Sequence, residues 1–139
     1  MDKYFEANAV FSLFSRDYMD LKNDLPIRPS EMGVLNIISK DDKRYTPLMV
    51  AELLKVSKPM IANHISVLEK KGYITKDFSS DDKRSFYIIP TEKAKELVKN
   101  EEKKLRSKLK KIEEAIGTDK FEMLVSILTE VNAVLKKER

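Results

Sequence analysis

The sequence predicts a mainly α-helical fold with one small β-hairpin, on three observations. Helix-start and helix-stop signals recur at short intervals across residues 28–90. Within that stretch, two runs rich in aromatic and β-branched residues flank a polar tip. Apolar seams spaced alternately three and four residues apart run along both ends of the chain. Short helices and a hairpin are therefore expected in the middle, and longer helices at the flanks.

The central elements follow in order. Thr46 can accept the N–H of a first-turn residue, and Pro47 suits the first helical position because its missing donor would be orphaned there anyway. From this start Val50, Leu53 and Leu54 form one apolar stripe, with Ala51 small enough for close approach by a neighbouring helix. A short turn at Lys55-Val56-Ser57 comes next. Ser57 is a good N-cap for a second helix, Pro59 is tolerated in its first turn, and Gly72 suits the left-handed position at its end. Ile61, Ile65 and Leu68 share the face expected to be buried, which leaves Lys58, Ala62, Asn63 and Ser66 outward; His64 is assigned to neither face. The segments Tyr73-Ile74-Thr75-Lys76-Asp77-Phe78 and Arg84-Ser85-Phe86-Tyr87-Ile88-Ile89 then form a β-hairpin tipped by Ser79-Ser80-Asp81-Asp82-Lys83-Arg84.

Helix, tight turn, helix and basic hairpin, in that order, make a winged helix-turn-helix spanning residues 28–90. Such a unit offers its second helix to a DNA major groove while the hairpin reaches the backbone or the minor groove. Ser57, Lys58, Pro59, Met60, Ala62, Asn63 and Ser66 are the expected recognition-helix contacts. Lys58 can meet a phosphate or a guanine, and the Asn63 amide matches the donor and acceptor of adenine. Asp82, Lys83 and Arg84 are the expected wing contacts: Asp82 and Arg84 fall on one side of an extended chain, where the carboxylate can orient the guanidinium. Taken alone, the polar helix face would read as solvated surface and the Asp82–Arg84 pair as a surface ion pair of about 0–1 kcal/mol. The adjoining turn and wing favour DNA.

Val56-Ser57-Lys58-Pro59, Leu68-Glu69-Lys70-Lys71-Gly72-Tyr73-Ile74, Asp82-Lys83-Arg84 and Pro90-Thr91-Glu92-Lys93 resemble, in order and spacing, the MarR family of transcriptional regulators. Upstream, Pro29-Ser30-Glu31-Met32-Gly33-Val34-Leu35 resembles that family's preceding helix, so the likeness spans most of the chain. It implies a homodimer with recognition helices in successive major grooves, a pseudo-palindromic double-stranded DNA site, and a wing arginine in the minor groove at Arg84, oriented by Asp82. A repressor released by a small aromatic or amphipathic effector is also implied, with Phe11, Phe14, Arg16 and Tyr18 near the family's usual effector position. Two departures stand out. Asn63 occupies a place often held by a long basic residue, and Ala94 stands where a glycine often follows.

The flanks carry the assembly signal. Tyr4, Ala7, Phe11, Phe14, Tyr18 and Leu21 line one face of a first helix; Phe121, Leu124, Leu128, Val131 and Leu135 do the same near the other end, and Met123, Ile127 and Val134 add a second line. Between them a long helix starts at Thr91 and passes through Val98, Leu105, Leu109, Ile112 and Ile116, with Gly117 ending it and Thr118 capping the next. Residues 1–25 and 91–139 are accordingly expected to form a helical dimerisation region around the reader, within a single domain of residues 1–139.

Composition narrows the function classes. The chain has 139 residues, a net charge of +4, no cysteine and one histidine, so thiol chemistry, disulfides and cysteine-based zinc sites are excluded and a histidine-rich metal site is not expected. Residues 40–84 hold ten Lys/Arg against seven Asp/Glu, whereas residues 1–39 hold four against six, so the basic excess coincides with the reader. The paired carboxylates Asp41-Asp42, Asp81-Asp82, Glu101-Glu102 and Glu113-Glu114 sit in highly charged stretches, and neither a phosphate-binding glycine loop nor a nucleophile motif occurs; an enzyme is not expected, nor a cofactor. No run of about 20 apolar residues suggests a membrane partner, and no targeting segment is read at the start, so a cytoplasmic protein is expected. The competing class is a winged-helix protein-interaction module without specific DNA binding.

Overall fold

The computed structural model describes residues 2–21, 24–79, 81 and 84–138. Its elements are α1 (Lys3–Asp20), α2 (Pro29–Ser39), α3 (Pro47–Leu54), α4 (Lys58–Lys70), β1 (Ile74–Asp77), β2 (Tyr87–Pro90), α5 (Glu92–Ile116) and α6 (Thr118–Lys137). They group into two compact units, residues 1–102 and 103–139, whose boundary falls inside α5.

In the first unit α2, α3 and α4 pack on one another, and α2 and α4 also pack on the strand pair. The core forms where their apolar faces meet: Val34 and Leu35 of α2, Val50 of α3, Leu68 of α4 and Ala94 of α5 are fully buried. Helix starts follow their caps. Thr46 Oγ1 accepts Met49 N–H at 3.3 Å with Pro47 at the first position, and Ser57 Oγ accepts Met60 N–H at 3.2 Å. At the start of α2, the Glu31 carboxylate accepts Arg28 N–H at 3.0 Å, which gives this 2% exposed acid a partner where the helix dipole also favours it.

The strands pair antiparallel, with Ile74 opposite Pro90 and Asp77 opposite Tyr87. A third segment joins their far edge: Tyr45 forms an isolated bridge to Ile88, whose N–H donates to Tyr45 O at 2.8 Å. Tyr45 is buried, and its hydroxyl lies 3.2 Å from Asp41 Oδ2; burial, then the Asp41 hydrogen bond and charge, push the phenol above its ordinary value.

Two expectations need correction. Leu53 does not share the buried stripe of α3; it is 56% exposed, and the stripe is Val50, Ala51 and the half-buried Leu54, because the partner elements lie to one side of this two-turn helix. Thr118 does not cap α6 but is its first residue; Gly117, at φ 95°, takes the cap position, a backbone conformation that a residue with a Cβ adopts only at a cost.

α1 has Asp2 as its cap and no buried residue, with Phe11 68% exposed. In the second unit, α6 has no buried residue either, and Met123, Leu124, Ile127, Leu128, Val131, Val134 and Leu135 are all exposed along it. A single chain thus leaves two apolar helix faces uncovered, the kind of surface that marks an interaction site. No helix among the described residues is long and apolar enough to cross a membrane.

Candidate nucleic-acid interface

The turn between α3 and α4 is tight because Lys55 takes the left-handed conformation, φ 58°, and Val56 N–H returns to Ala51 O at 3.0 Å. That return starts α4 with its first turn in the open. Ser57, Lys58, Pro59, Met60, Ala62, Asn63 and Ser66 are all exposed. Ile61, His64, Ile65 and Leu68 are buried on the opposite side. His64 therefore belongs to the core face, and neither of its ring nitrogens has a hydrogen-bond partner among the described residues.

Along one flank of α4, Lys58, Ala62 and Ser66 face the wing across a cleft of about 420 Å³. Its floor is apolar, from Ile61, Ile65 and Phe86, and Pro47 and Leu48 close the α3 side. Its charged lining consists of Lys58, Lys76 and Arg84, with no carboxylate among the described lining residues. Lys76 is held in place: its Nζ lies 3.5 Å from Glu69 Oε1 and 5.0 Å from the centre of the Phe86 ring. The sequence reading missed Lys76 as a site residue. Its position two residues along the strand from Ile74 was legible, but the tertiary approach of β1 to α4 makes it a third cation at the cleft.

Asp77 closes the paired part of the wing and anchors its root. Its Oδ1 accepts Ser79 N–H at 2.9 Å, and its Oδ2 pairs with Arg44 at 2.9 Å. The Ser79 backbone and side-chain hydrogen bonds, with the Arg44 charge, hold this carboxyl below its ordinary value against the opposing effect of burial. Arg84 is exposed. Asp82 and Lys83 lie outside the described residues, as does the expected orientation of Arg84 by Asp82.

The end of α4 is fastened to the start of α5. Thr91 Oγ1 donates to Gly72 O at 2.8 Å, Thr91 N–H to Tyr73 O at 3.0 Å, and Lys93 Nζ to Lys71 O at 2.6 Å while lying 4.4 Å from the Tyr73 ring centre. Gly72, at φ 83°, permits the sharp exit into β1. The Thr91-Glu92-Lys93 motif is thus a clasp that holds the reader against the helix leading out of it.

The effector candidates all lie on α1. Phe14 and Tyr18 stack with ring centres 5.6 Å apart, Phe11 and Phe14 are exposed, and Arg16 makes an exposed contact of 3.8 Å with its neighbour Asp17. No group of three or more potential metal ligands occurs among the described residues.

Three helices, a short hairpin and an exposed helix start beside a cleft lined by Lys58, Lys76 and Arg84 define a winged helix-turn-helix fold. Residues 18–101 match the family model of the transcriptional regulators SarA/Rot, and the chain belongs to that family. Similar solved structures are MarR-family regulators, in line with the resemblance read from the sequence. FabT of Streptococcus pneumoniae, solved in complex with DNA, is 21% identical over 99% of this chain and 100% of its own, with a TM-score of 0.80. MepR of Staphylococcus aureus, a regulator of the multidrug efflux pump MepA, is 15% identical over 97% and 99%, with a TM-score of 0.74. NadR, solved with 4-hydroxyphenylacetate, is 16% identical over 94% and 92%, with a TM-score of 0.63. No curated protein matches the chain. A transcriptional regulator, not an enzyme, is what family and fold together define.

Proposed function

We propose that this regulator binds double-stranded DNA sequence-specifically as a homodimer, with residues 28–90 as the reader and residues 1–25 and 91–139 as the dimerisation region. The observation that carries the reading is the exposed first turn of α4 beside a cleft whose charged lining is Lys58, Lys76 and Arg84. A helix start and three cations on one side suit a phosphate backbone, and Asn63 on the same outward face suits a base edge. The uncovered faces of α1 and α6 support a second copy as the missing packing partner. In this reading the wing enters the minor groove through Arg84, with Asp82 orienting its guanidinium and Lys83 a further wing contact.

The regulator acts in the cytoplasm as a repressor that a small aromatic or amphipathic ligand releases. Support for the ligand comes from the stacked Phe14–Tyr18 pair with Arg16 nearby in sequence, and from the solution of NadR with an aromatic acid. Selection of bound genomic fragments, followed by titration of the best site across a salt series, tests the reading. A pseudo-palindrome with half-sites about 10 base pairs apart and a log–log salt slope of about −0.9 per phosphate neutralised are expected. Light scattering at micromolar concentration should report a dimer. Failure to enrich any DNA would instead favour a winged-helix module that binds protein, and a monomer would sink the dimer.

A further inference from the structure

We propose that Arg44, in the segment between α2 and α3, is a positioning residue for the wing: it fixes the wing root at Asp77 and Ser79, from which Arg84 is presented. The proposal rests on the DNA-binding reading above and adds to it a residue outside both the recognition helix and the hairpin. Tyr45 bridges to Ile88 and so places Arg44 at the outer edge of β2, one strand away from β1. From there the Arg44 side chain crosses the sheet. Its guanidinium carbon lies 5.3 Å from the centre of the Tyr87 ring, and its NH1 donates to Asp77 Oδ2 at 2.9 Å and to Ser79 Oγ at 3.2 Å. Tyr87 and Asp77 face each other in the last pair of the ladder, so the guanidinium spans the sheet where the wing begins.

Asp77 joins this link to the outgoing chain, since its other oxygen takes the Ser79 N–H at 2.9 Å. One carboxylate and one guanidinium therefore fix three points: the edge segment, the last strand residue and the second residue after it. As an ion pair between groups 56% and 29% exposed, the contact adds little to overall stability. Its consequence is directional. A wing root held in one orientation presents Arg84 without the ordering cost that a free loop would incur on binding.

Positioning and direct phosphate contact predict opposite signs for one variant. Asp77→Asn removes a negative charge beside the DNA, so if Arg44 met a phosphate itself, the variant should bind DNA as tightly as the parent or more so. If Arg44 acts through the wing root, Asp77→Asn should bind more weakly, because the link is cut. The test measures the parent, Arg44→Ala, Arg44→Lys, Asp77→Asn, Arg84→Ala and the double variant Arg44→Ala/Arg84→Ala against the selected DNA site across a salt series, with melting temperatures alongside.

Expected are a loss of roughly three- to tenfold for Arg44→Ala and Asp77→Asn, partial rescue by Arg44→Lys, melting within a few degrees of the parent, and little further loss when Arg44→Ala is added to Arg84→Ala. Unchanged affinity in Arg44→Ala overturns the proposal, as do tighter binding by Asp77→Asn or fully additive losses with a salt slope lowered by about one phosphate. If the parent binds but Arg84→Ala binds as tightly, the wing contact itself is refuted and Arg44 has nothing to position. If the parent binds no DNA, the DNA-binding reading falls first.

Discussion

Ser57 joins local structure to function most directly, and two substitutions there separate them. Its hydroxyl accepts Met60 N–H at 3.2 Å, and its backbone oxygen accepts Ile61 N–H at 3.0 Å. Ser57→Ala removes the first bond and keeps the second. Because both Ser57 and Met60 are exposed, water can reach the released N–H, and the cost should fall near the middle of the usual cap range, about 1 kcal/mol. For a chain of this length that is a melting temperature lower by roughly 3–5 °C. Ser57→Asp restores an acceptor at the same place and adds a charge that the α4 dipole favours by about 0.3–1 kcal/mol, so this variant should melt at or above the parent. Binding should go the other way. A carboxylate at the helix start faces the phosphates and offsets Lys58, and affinity should fall by about tenfold or more, with a shallower salt slope. Differential scanning calorimetry and fluorescence anisotropy on the selected site measure the two effects separately. A Ser57→Asp protein that binds DNA as tightly as the parent would show that the start of α4 does not face phosphate, and unchanged melting of Ser57→Ala would refute the cap.

Three further outcomes follow from the site. Asn63→Ala should leave stability nearly unchanged, because the residue is exposed, yet cost about 1–3 kcal/mol on the best DNA site and relax preference at one base step; an unchanged selection profile would remove Asn63 from the reader. His64→Leu should stabilise the protein by about 1–2 kcal/mol in urea unfolding, since a 6% exposed ring with two unpartnered nitrogens gives way to an apolar side chain of similar size. A variant no more stable than the parent would mean that those nitrogens are satisfied in solution. Asp77 should contribute to acid sensitivity. Its carboxyl is held below the ordinary 3.8, so its stabilising contribution is fully present above that value and is lost as pH falls through the lower folded-state value. The stability gap between parent and Asp77→Asn should therefore stay constant above about pH 5 and narrow on acidification; a gap that widens in acid would contradict the assignment.

The central architecture was legible because its signals are local. Thr46-Pro47 and Ser57 mark helix starts through hydrogen bonds within three residues, Gly72 marks an exit through its own backbone freedom, and the spacing of Ile61, Ile65 and Leu68 assigns the α4 faces whatever lies opposite. Periodicity left His64 undecided, since a histidine suits either side of an amphipathic helix. Only the packing of α4 among its neighbours puts it in the core. Leu53 went the other way, because an apolar residue on a two-turn helix is buried only if a partner reaches that side, and none among the described residues does.

By itself, then, the sequence determined the order of the elements, the caps of α3 and α4 and the outward set on α4, all of which depend on residues close together in the chain, and its ordered motifs carried the family likeness. Tertiary structure decided the rest. Lys76 became a cleft residue through the approach of β1 to α4, and Arg44 was tied to Asp77 and Ser79 across 33 and 35 residues of sequence. The same holds for the Thr91 and Lys93 clasp on the end of α4, made across 19 and 22 residues. Such contacts have no spacing rule, because they depend on where the turns send the chain, and a side chain's partner is known only once the backbone has brought it within reach.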